Sequence, residues 1–297
     1  MLSNAELNET RLVAARPRGQ LRELFRQLVR TPSMIAGSIL VLVVVAVMLS
    51  PLIFPIADPN AISVKARLAS PSPEHWFGGD ALGRDVFARI AYGAQTSLFV
   101  GFVSVIIAAV GGTILGIWGA YRGGWVDGLI MRCVDIIFGF PTILLALLVV
   151  TILGPATINV IFAIAIVYLP AFARISRAPA LAVMRLPFIE VLRSMGAGAA
   201  RVTGLHILPN VLGPLIVQFV VSLSYAILIE ASLSYLGLGV QPPTPSWGSM
   251  ISDGQTYLTM QPLLMMFPAA FLFITICGFN LIGDAMEAAL DPRSRRR

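Results

Sequence analysis

Charge is what this sequence has least of. Only 12% of its 297 residues are charged and 57% are hydrophobic. A soluble domain carries roughly 25% charged residues, so this composition excludes a water-filled setting for most of the chain, and the mean hydropathy of +0.84 agrees. Cysteine is nearly as scarce. Cys133 and Cys277 each lie in or beside an apolar run, with no CxxC and no His/Cys cluster. They read as two buried thiols without redox or metal duty. The two histidines, His75 and His206, have no second ligand at useful spacing, so neither is expected to bind metal. There is no Walker loop, no HExxH and no GxSxG, which leaves the chain nothing with which to hydrolyse ATP or a peptide bond. No repeat of about 20 to 50 residues is visible.

The net charge is +6, yet the arginine-rich zones lie at the two ends and not in a polar surface patch. That argues against nucleic-acid binding. In a membrane protein, basic residues mark the cytoplasmic side.

What is present is a series of long charge-free runs. A spanning helix needs about 20 apolar residues. Met34 to Phe54 makes a first span, preceded by Arg11, Arg16, Arg18, Arg22, Arg26 and Arg30 and ending in SPLIFP. Its long lead and missing small-residue cleavage site mark an uncleaved anchor, not a signal peptide. Thr96 to Ala120, Leu129 to Ile152, Val160 to Ala173 with its flanks, Val211 to Ser234, and Pro262 to Gly283 give five more spans. GPATIN is a short turn between the third and fourth. GLGVQPPTPSWGSMISDGQTYLTMQ reads as a Pro/Gly-rich loop between the fifth and sixth, with Trp247 at the membrane interface.

Six spans put both ends on one side. That side collects the lead, Arg122, Arg132, Arg174, Arg177, Arg185, Arg193, Arg201 and the tail arginines Arg293, Arg295, Arg296 and Arg297; the other has only Lys65, Arg67, Arg84 and Arg89. The asymmetry predicts cytoplasmic termini.

The most polar internal stretch, EVLRSMGAGAARVTGLHILPN (residues 190–210), is therefore expected in the cytoplasm. Val191, Met195, Ala199, Val202 and Leu205 recur at helical steps and make one apolar stripe. Pro187 suits a first helical turn, Glu190 sits where the helix dipole favours an acid, and Gly196 and Gly198 permit a bend. A second short helix is expected to end before Leu208-Pro209. The stripe has two possible counterparts: lipid headgroups, or a groove on a cytoplasmic partner.

Other polar features also leave alternatives open. Acids inside spans are costly and mark functional sites by default. Asp135 and Asp284, near the inner interface, are expected to pair with arginines such as Arg132. Glu230 lies deeper, and either lines a path or hydrogen-bonds helices together. LGRDVFARI (Leu82 to Ile90) reads as a short amphipathic helix at the outer interface, or as a docking element for a binding protein. Gly112 and Gly116 have the small-xxx-small spacing of close helix packing, within the subunit or between subunits.

Glu190, then Gly196, then Leu208-Pro209 resemble the EAA loop of ABC-importer permeases, with Val191-Leu192 in place of two alanines and His206 in place of isoleucine. FGGDALGRDVFARIAYGAQTSL (Phe77 to Leu98) is similar to the GTDxLGRDVxSRxxYGxRxSL signature of the peptide-transporter branch, with Gly79 for threonine. GPATINVIFAIAIVYLPAFARISRA, ASLSYLGLGVQPPTPSWGSMI and FNLIGDAMEAALDPR also look like that branch. The likeness covers about residues 30 to 293 and identifies the chain as a DppC/OppC-type permease subunit of dipeptide and oligopeptide ABC importers.

That resemblance implies an all-α polytopic membrane protein with six transmembrane helices of the type I importer kind, in the bacterial inner membrane. It implies a cytoplasmic lead at 1–33, an anchor at 34–54, a periplasmic segment at 55–95, a core of five helices at 96–285 with a coupling loop at 186–209, and a cytoplasmic tail at 286–297. The ATPase-coupling residues would be Glu190, Val191, Leu192, Met195, Gly196, Leu208 and Pro209. Implied partners are a DppB/OppB-type second permease subunit, two ATP-binding subunits that hold ATP and Mg, and a periplasmic or lipid-anchored substrate-binding protein. The chain itself would be neither an enzyme nor a cofactor carrier. Relatives of this kind also carry nickel or glutathione. A rival class is a proton-coupled carrier working through Glu230 and Asp135; the internal repeat common in such carriers is not visible.

Overall fold

Charge-free runs must satisfy their backbone internally, and in lipid a helix does this within one segment. The computed structural model, which describes Leu28 and residues 31–290, is accordingly helical. Its one sheet-like feature among the described residues is an isolated bridge between Gly79 and Asp85. The helices are α1 (Pro32–Ile53), α2 (Val86–Arg122), α3 (Gly124–Phe138), α4 (Thr142–Leu153), α5 (Thr157–Met184), α6 (Pro187–Ser194), α7 (Ala199–Val202), α8 (Leu208–Tyr235), α9 (Trp247–Gln255) and α10 (Leu263–Leu290). Five helical stretches are long and apolar enough to cross a membrane, one of them running from Ala199 to Tyr235. A sixth crossing exists only if α3 and α4, bent by 94° at their junction, count as one.

Three expectations about the spans change. The third is broken, because Gly139-Phe140-Pro141 ends α3 and Pro141 caps α4; proline lacks the N–H that would continue the ladder. The second begins far earlier than Thr96. LGRDVFARI is not a separate helix at an interface: Asp85 caps α2 by accepting from the Ala88 amide, and Val86 and Ile90 are buried with Met250 and Leu264. The loop after the fifth span contains α9, started by a capping box between Ser246 and Ser249. Trp247 is not at an interface. It is 0% exposed, and its Nε1 donates to the Ile90 carbonyl at 3.2 Å.

The core is α2 against α5, with α8 and α10 beside them. Small residues bring α2 and α5 together. A Cβ on Gly112 would lie 2.4 Å from the Leu169 carbonyl oxygen, and one on Gly116 would lie 2.2 Å from Ser176 Oγ. The glycine spacing thus serves packing within the subunit. Similarly Gly37 of α1 and Gly278 of α10 approach so closely that a Cβ on Gly37 would sit 2.7 Å from the Gly278 carbonyl oxygen. The core leaves two opposite ends. One carries the 55–85 segment and α9, the other carries α6 and α7.

The short helix α7 does not stop before Leu208. It passes through a π-turn, Thr203–Ile207, directly into α8, and the Leu208 amide donates to the Thr203 carbonyl five residues back. Pro209 brings no N–H, and the widened turn accommodates that gap.

Candidate functional site: the coupling segment and the buried carboxyl

The coupling segment is built on a buried underside. Ile189, Val202, Ile207 and Val211 pack with Ile117, Ala120, Ala180 and Val183 of α2 and α5. Pro187 opens α6 and Glu190 lies in its first turn. Gly196 closes it with φ of +83°, a left-handed position that glycine adopts without penalty. The Ala197 amide donates to the Leu192 carbonyl and the Gly196 amide to that of Arg193, both at 3.0 Å, which is the Schellman stop. Two ring contacts hold the hairpin: Phe188 meets His206 edge-on at 5.6 Å, and the Arg193 guanidinium lies over Tyr121 at 5.1 Å.

The predicted stripe divides in two. Val202 is fully buried in the segment's own core, whereas Val191 is 57% exposed and Met195 is 79% exposed. Leu205 and Phe188 join the exposed set. Leu192 is half-buried under α6, while Glu190, Leu208 and Pro209 are exposed. Five of the residues assigned to coupling are therefore exposed, as are Phe188 and Leu205, while Leu192 is half-buried and Gly196 shapes the turn. The predicted residues did not include Phe188 and Ile189, the two apolar first-turn positions between Pro187 and Glu190.

The ion pairs also rearrange. Asp135 pairs with Arg174, not Arg132; α5 runs on past the expected end of the fourth span and carries Arg174 to it, and the Arg174 guanidinium also covers Phe138 at 4.2 Å. Arg132 is exposed. Asp284 is exposed and makes no ion pair among the described residues; the tail arginines, like those of the N-terminal lead, lie outside them. The pair that sequence reasoning missed is Asp127 with Arg177, bidentate through Nε at 2.6 Å and a second nitrogen. It fastens the start of α3 to α5. Cys133 is exposed and not buried, and Cys277 is half-buried.

At the other end, Glu230 is 0% exposed. It does not open onto any path in this structure. It accepts from Ser234 Oγ, one turn along the same helix, at 2.7 Å. Nearby, Asp80 holds Arg84 at 2.6 Å and Arg89 at 3.6 Å, Arg89 also donates to the Pro59 carbonyl, and His75 Nδ1 contacts Asp85 at 2.8 Å. This network borders a cavity of about 410 Å³ that also includes Ser252, Asp253 and Tyr257. Burial pushes the Asp253 carboxyl up, against the pull of Arg89 and Arg84. No group of three or more metal-ligating side chains occurs among the described residues.

Long apolar helices around a glycine-packed core, with a polar loop exposing apolar side chains, define a multi-pass membrane protein. The chain belongs to the family of binding-protein-dependent transport system inner membrane components, whose sequence profile matches residues 112–296. It is 41% identical over 274 residues to the dipeptide transport system permease protein DppC of Alkalihalophilus pseudofirmus, covering 92% of this chain and 90% of that one. It is 40% identical over 273 residues to the glutathione transport system permease protein GsiD of Pectobacterium atrosepticum, covering 92% and 91%. The GsiD protein of Escherichia coli O6:K15:H31 is 42% identical over 261 residues, covering 88% of this chain and 86% of that one. Among solved structures, a chain of the MetNI methionine ABC transporter in inward-facing conformations superposes with a TM-score of 0.52 at 20% identity, covering 68% of this chain and 96% of that one. That last likeness concerns the fold. The expected DppC/OppC-type importer permease is thus the class to which this chain belongs.

Proposed function

We propose that this permease carries dipeptides or similarly small peptides inward, driven by ATP hydrolysis in separate subunits that grip residues 186–209. The observation that carries the coupling half of this reading is the outward set Phe188, Val191, Met195 and Leu205 on an otherwise polar loop. Large exposed apolar groups rimmed by polar residues mark contact sites. A headgroup float would need only the apolar face; here the segment is also braced from beneath by a buried core and stopped by a Schellman glycine, so it can transmit force. The names of the dipeptide and glutathione relatives support the substrate class; a nickel importer fits less well with them.

In this reading α6 faces the cytoplasm, both termini are cytoplasmic, and the α9 end faces a periplasmic or lipid-anchored binding protein. A DppB/OppB-type subunit completes the path, and two ATPase subunits hold ATP and Mg. Closure of the ATPase pair would push α6, and the push would pass through α7, the π-turn and α8 as one rod. Packed elements of this kind shift as rigid bodies.

The test is uptake of a labelled dipeptide by proteoliposomes of the whole complex. ATP should drive uptake, and a proton gradient without ATP should not. Met195→Glu and Glu190→Lys should each lower uptake at least about ten-fold, the cost of a lost interfacial anchor, while membrane insertion is unchanged. Proton-driven uptake without ATPase subunits would favour the carrier reading instead.

A further inference from the structure

Glu230 is a fully buried acid at the α9 end, and transport as proposed does not use it. Three elements meet around it. Ser234, one turn along α8, donates to its Oε1 and accepts from the Val240 amide at 3.1 Å. Ser97 of α2 and Ser246, the cap residue of α9, face the same carboxyl. Ser97 and Ser246 are each fully buried. Ser97 also accepts from the Trp247 amide at 3.4 Å. The backbones are jammed together here: a Cβ on Gly248 would fall 2.1 Å from the Ala231 carbonyl oxygen, and one on Gly239 would fall 2.0 Å from Ser234 Oγ. Glu230 makes no ion pair among the described residues, and its Oε2 has no hydrogen-bond partner. A path-lining charge would be open to water or matched by a base. This carboxyl has neither, and is ringed by hydroxyls.

We propose that Glu230 is a positioning residue that fixes the Ser234 hydroxyl against the Val240 amide and packs beside Ser97 and Ser246, and so clamps the 236–255 cap to α2 and α8 by its shape and hydrogen bonding and not by its charge. The consequence for transport rests on the reading above. The helical stretch from Ala199 to Tyr235 is 37 residues, about 55 Å at 1.5 Å per residue. It joins the coupling segment directly to the clamp, so the cap moves with the rod and the far end of the path responds to a push at α6.

The experiment compares Glu230→Gln and Glu230→Leu in the full transporter in nanodiscs, reading hydrogen exchange of cap amides by mass spectrometry and ATP-driven uptake. Glutamine keeps shape and hydrogen bonding but not charge. It should leave cap exchange and uptake within about two-fold of the starting protein. Leucine should speed exchange of residues 238–250 about ten-fold, the size expected for losing buried hydrogen bonds, and should lower uptake with it. Should the leucine variant fail to fold, Ser97→Ala, which removes one arm, is expected to speed cap exchange several-fold. If glutamine is as inactive as leucine, the charge is what matters and the proposal is overturned. If neither leucine nor Ser97→Ala changes cap exchange, there is no clamp. Cap exchange needs no transport, so absence of ATP-driven uptake by the starting protein would sink the importer reading without touching the clamp.

Discussion

Gly116 has no room for a side chain, since an added Cβ would meet both the Ala173 carbonyl oxygen at 2.3 Å and Ser176 Oγ. Gly116→Val should therefore push α2 off α5. The expected cost is about 1–3 kcal/mol, typical of overpacking a tight core, and would be read as a lower unfolding temperature in detergent. Arg177 and Asp127 behave differently, because each leaves the other behind when removed. Asp127→Ala and Arg177→Ala should each cost about 1.5–3 kcal/mol, as for hydrogen bonds to charged groups. The double variant should cost less than the two together; strict additivity would mean that the pair does not hold α3 in place. This pair was hard to find in the sequence. Fifty positions separate its members, and Arg177 looked like a loop residue because α5 reaches past the end of its apolar run into charged territory.

Among the elements, α6 is the one whose shape follows most directly from its residues. Pro187, Glu190, Gly196 and Gly198 dictate where it starts, what its first turn carries and where it stops. Gly196→Ala meets no neighbour within 4 Å, so its effect should come from the left-handed backbone alone, about 1–2 kcal/mol. Gly198→Ala, at an ordinary extended φ of −67°, should cost less. Comparing the uptake rates of the two separates conformational demand from space. The spans themselves were legible as charge-free runs, because lipid leaves the chain few other options. What was not legible follows from local breaks in that pattern. The α3–α4 bend hides inside an apolar run, since FGFP contains no charge. The start of α2 is masked by Arg84, Asp85 and Arg89, whose charges make the stretch read as a separate interfacial helix until the cap Asp85 and the buried Arg89–Asp80 salt bridge are placed. The α9 helix is short and proline-led, with too few apolar positions to show a period. The 190–205 stripe had the right spacing, but spacing alone cannot say which members face inward, and Val202 turned in while Met195 turned out.

At the scale of the molecule, the two ends differ in kind: one is stitched by charged and hydroxyl networks, the other presents apolar side chains on a polar segment. The proposed orientation has a direct check. In a background with Cys133 and Cys277 replaced by serine, Thr256→Cys should react with a membrane-impermeant maleimide added to spheroplasts, and Ser194→Cys only after the membrane is opened. Reaction of Ser194→Cys from outside would invert the topology and remove the basis for ATPase coupling. The match of the MetNI chain to 68% of this one leaves about a third of the chain beyond it. The α1 helix, ahead of the residues matched by the family profile, is held at Gly37 and Gly278. Gly278→Leu should pry α1 from α10, with a loss of about 1–3 kcal/mol by the same overpacking logic, measured as a fall in unfolding temperature.

The π-turn at Thr203–Ile207 sets something that no side chain does. An α-helix advances about 100° per residue, and a π-turn holds one residue more than an α-turn closes over. By taking up that residue within one turn, the π-turn sets the compass bearing of Val191 and Met195 relative to the bundle. Rewinding the stretch as plain α-helix with every residue kept would swing the α6 knob about 100° around the rod, whereas deleting Gly204 along with the π-turn would leave its bearing nearly unchanged. The direction in which this protein offers its knob thus depends on one widened turn, and a change that tightens the turn without removing a residue misaims the knob.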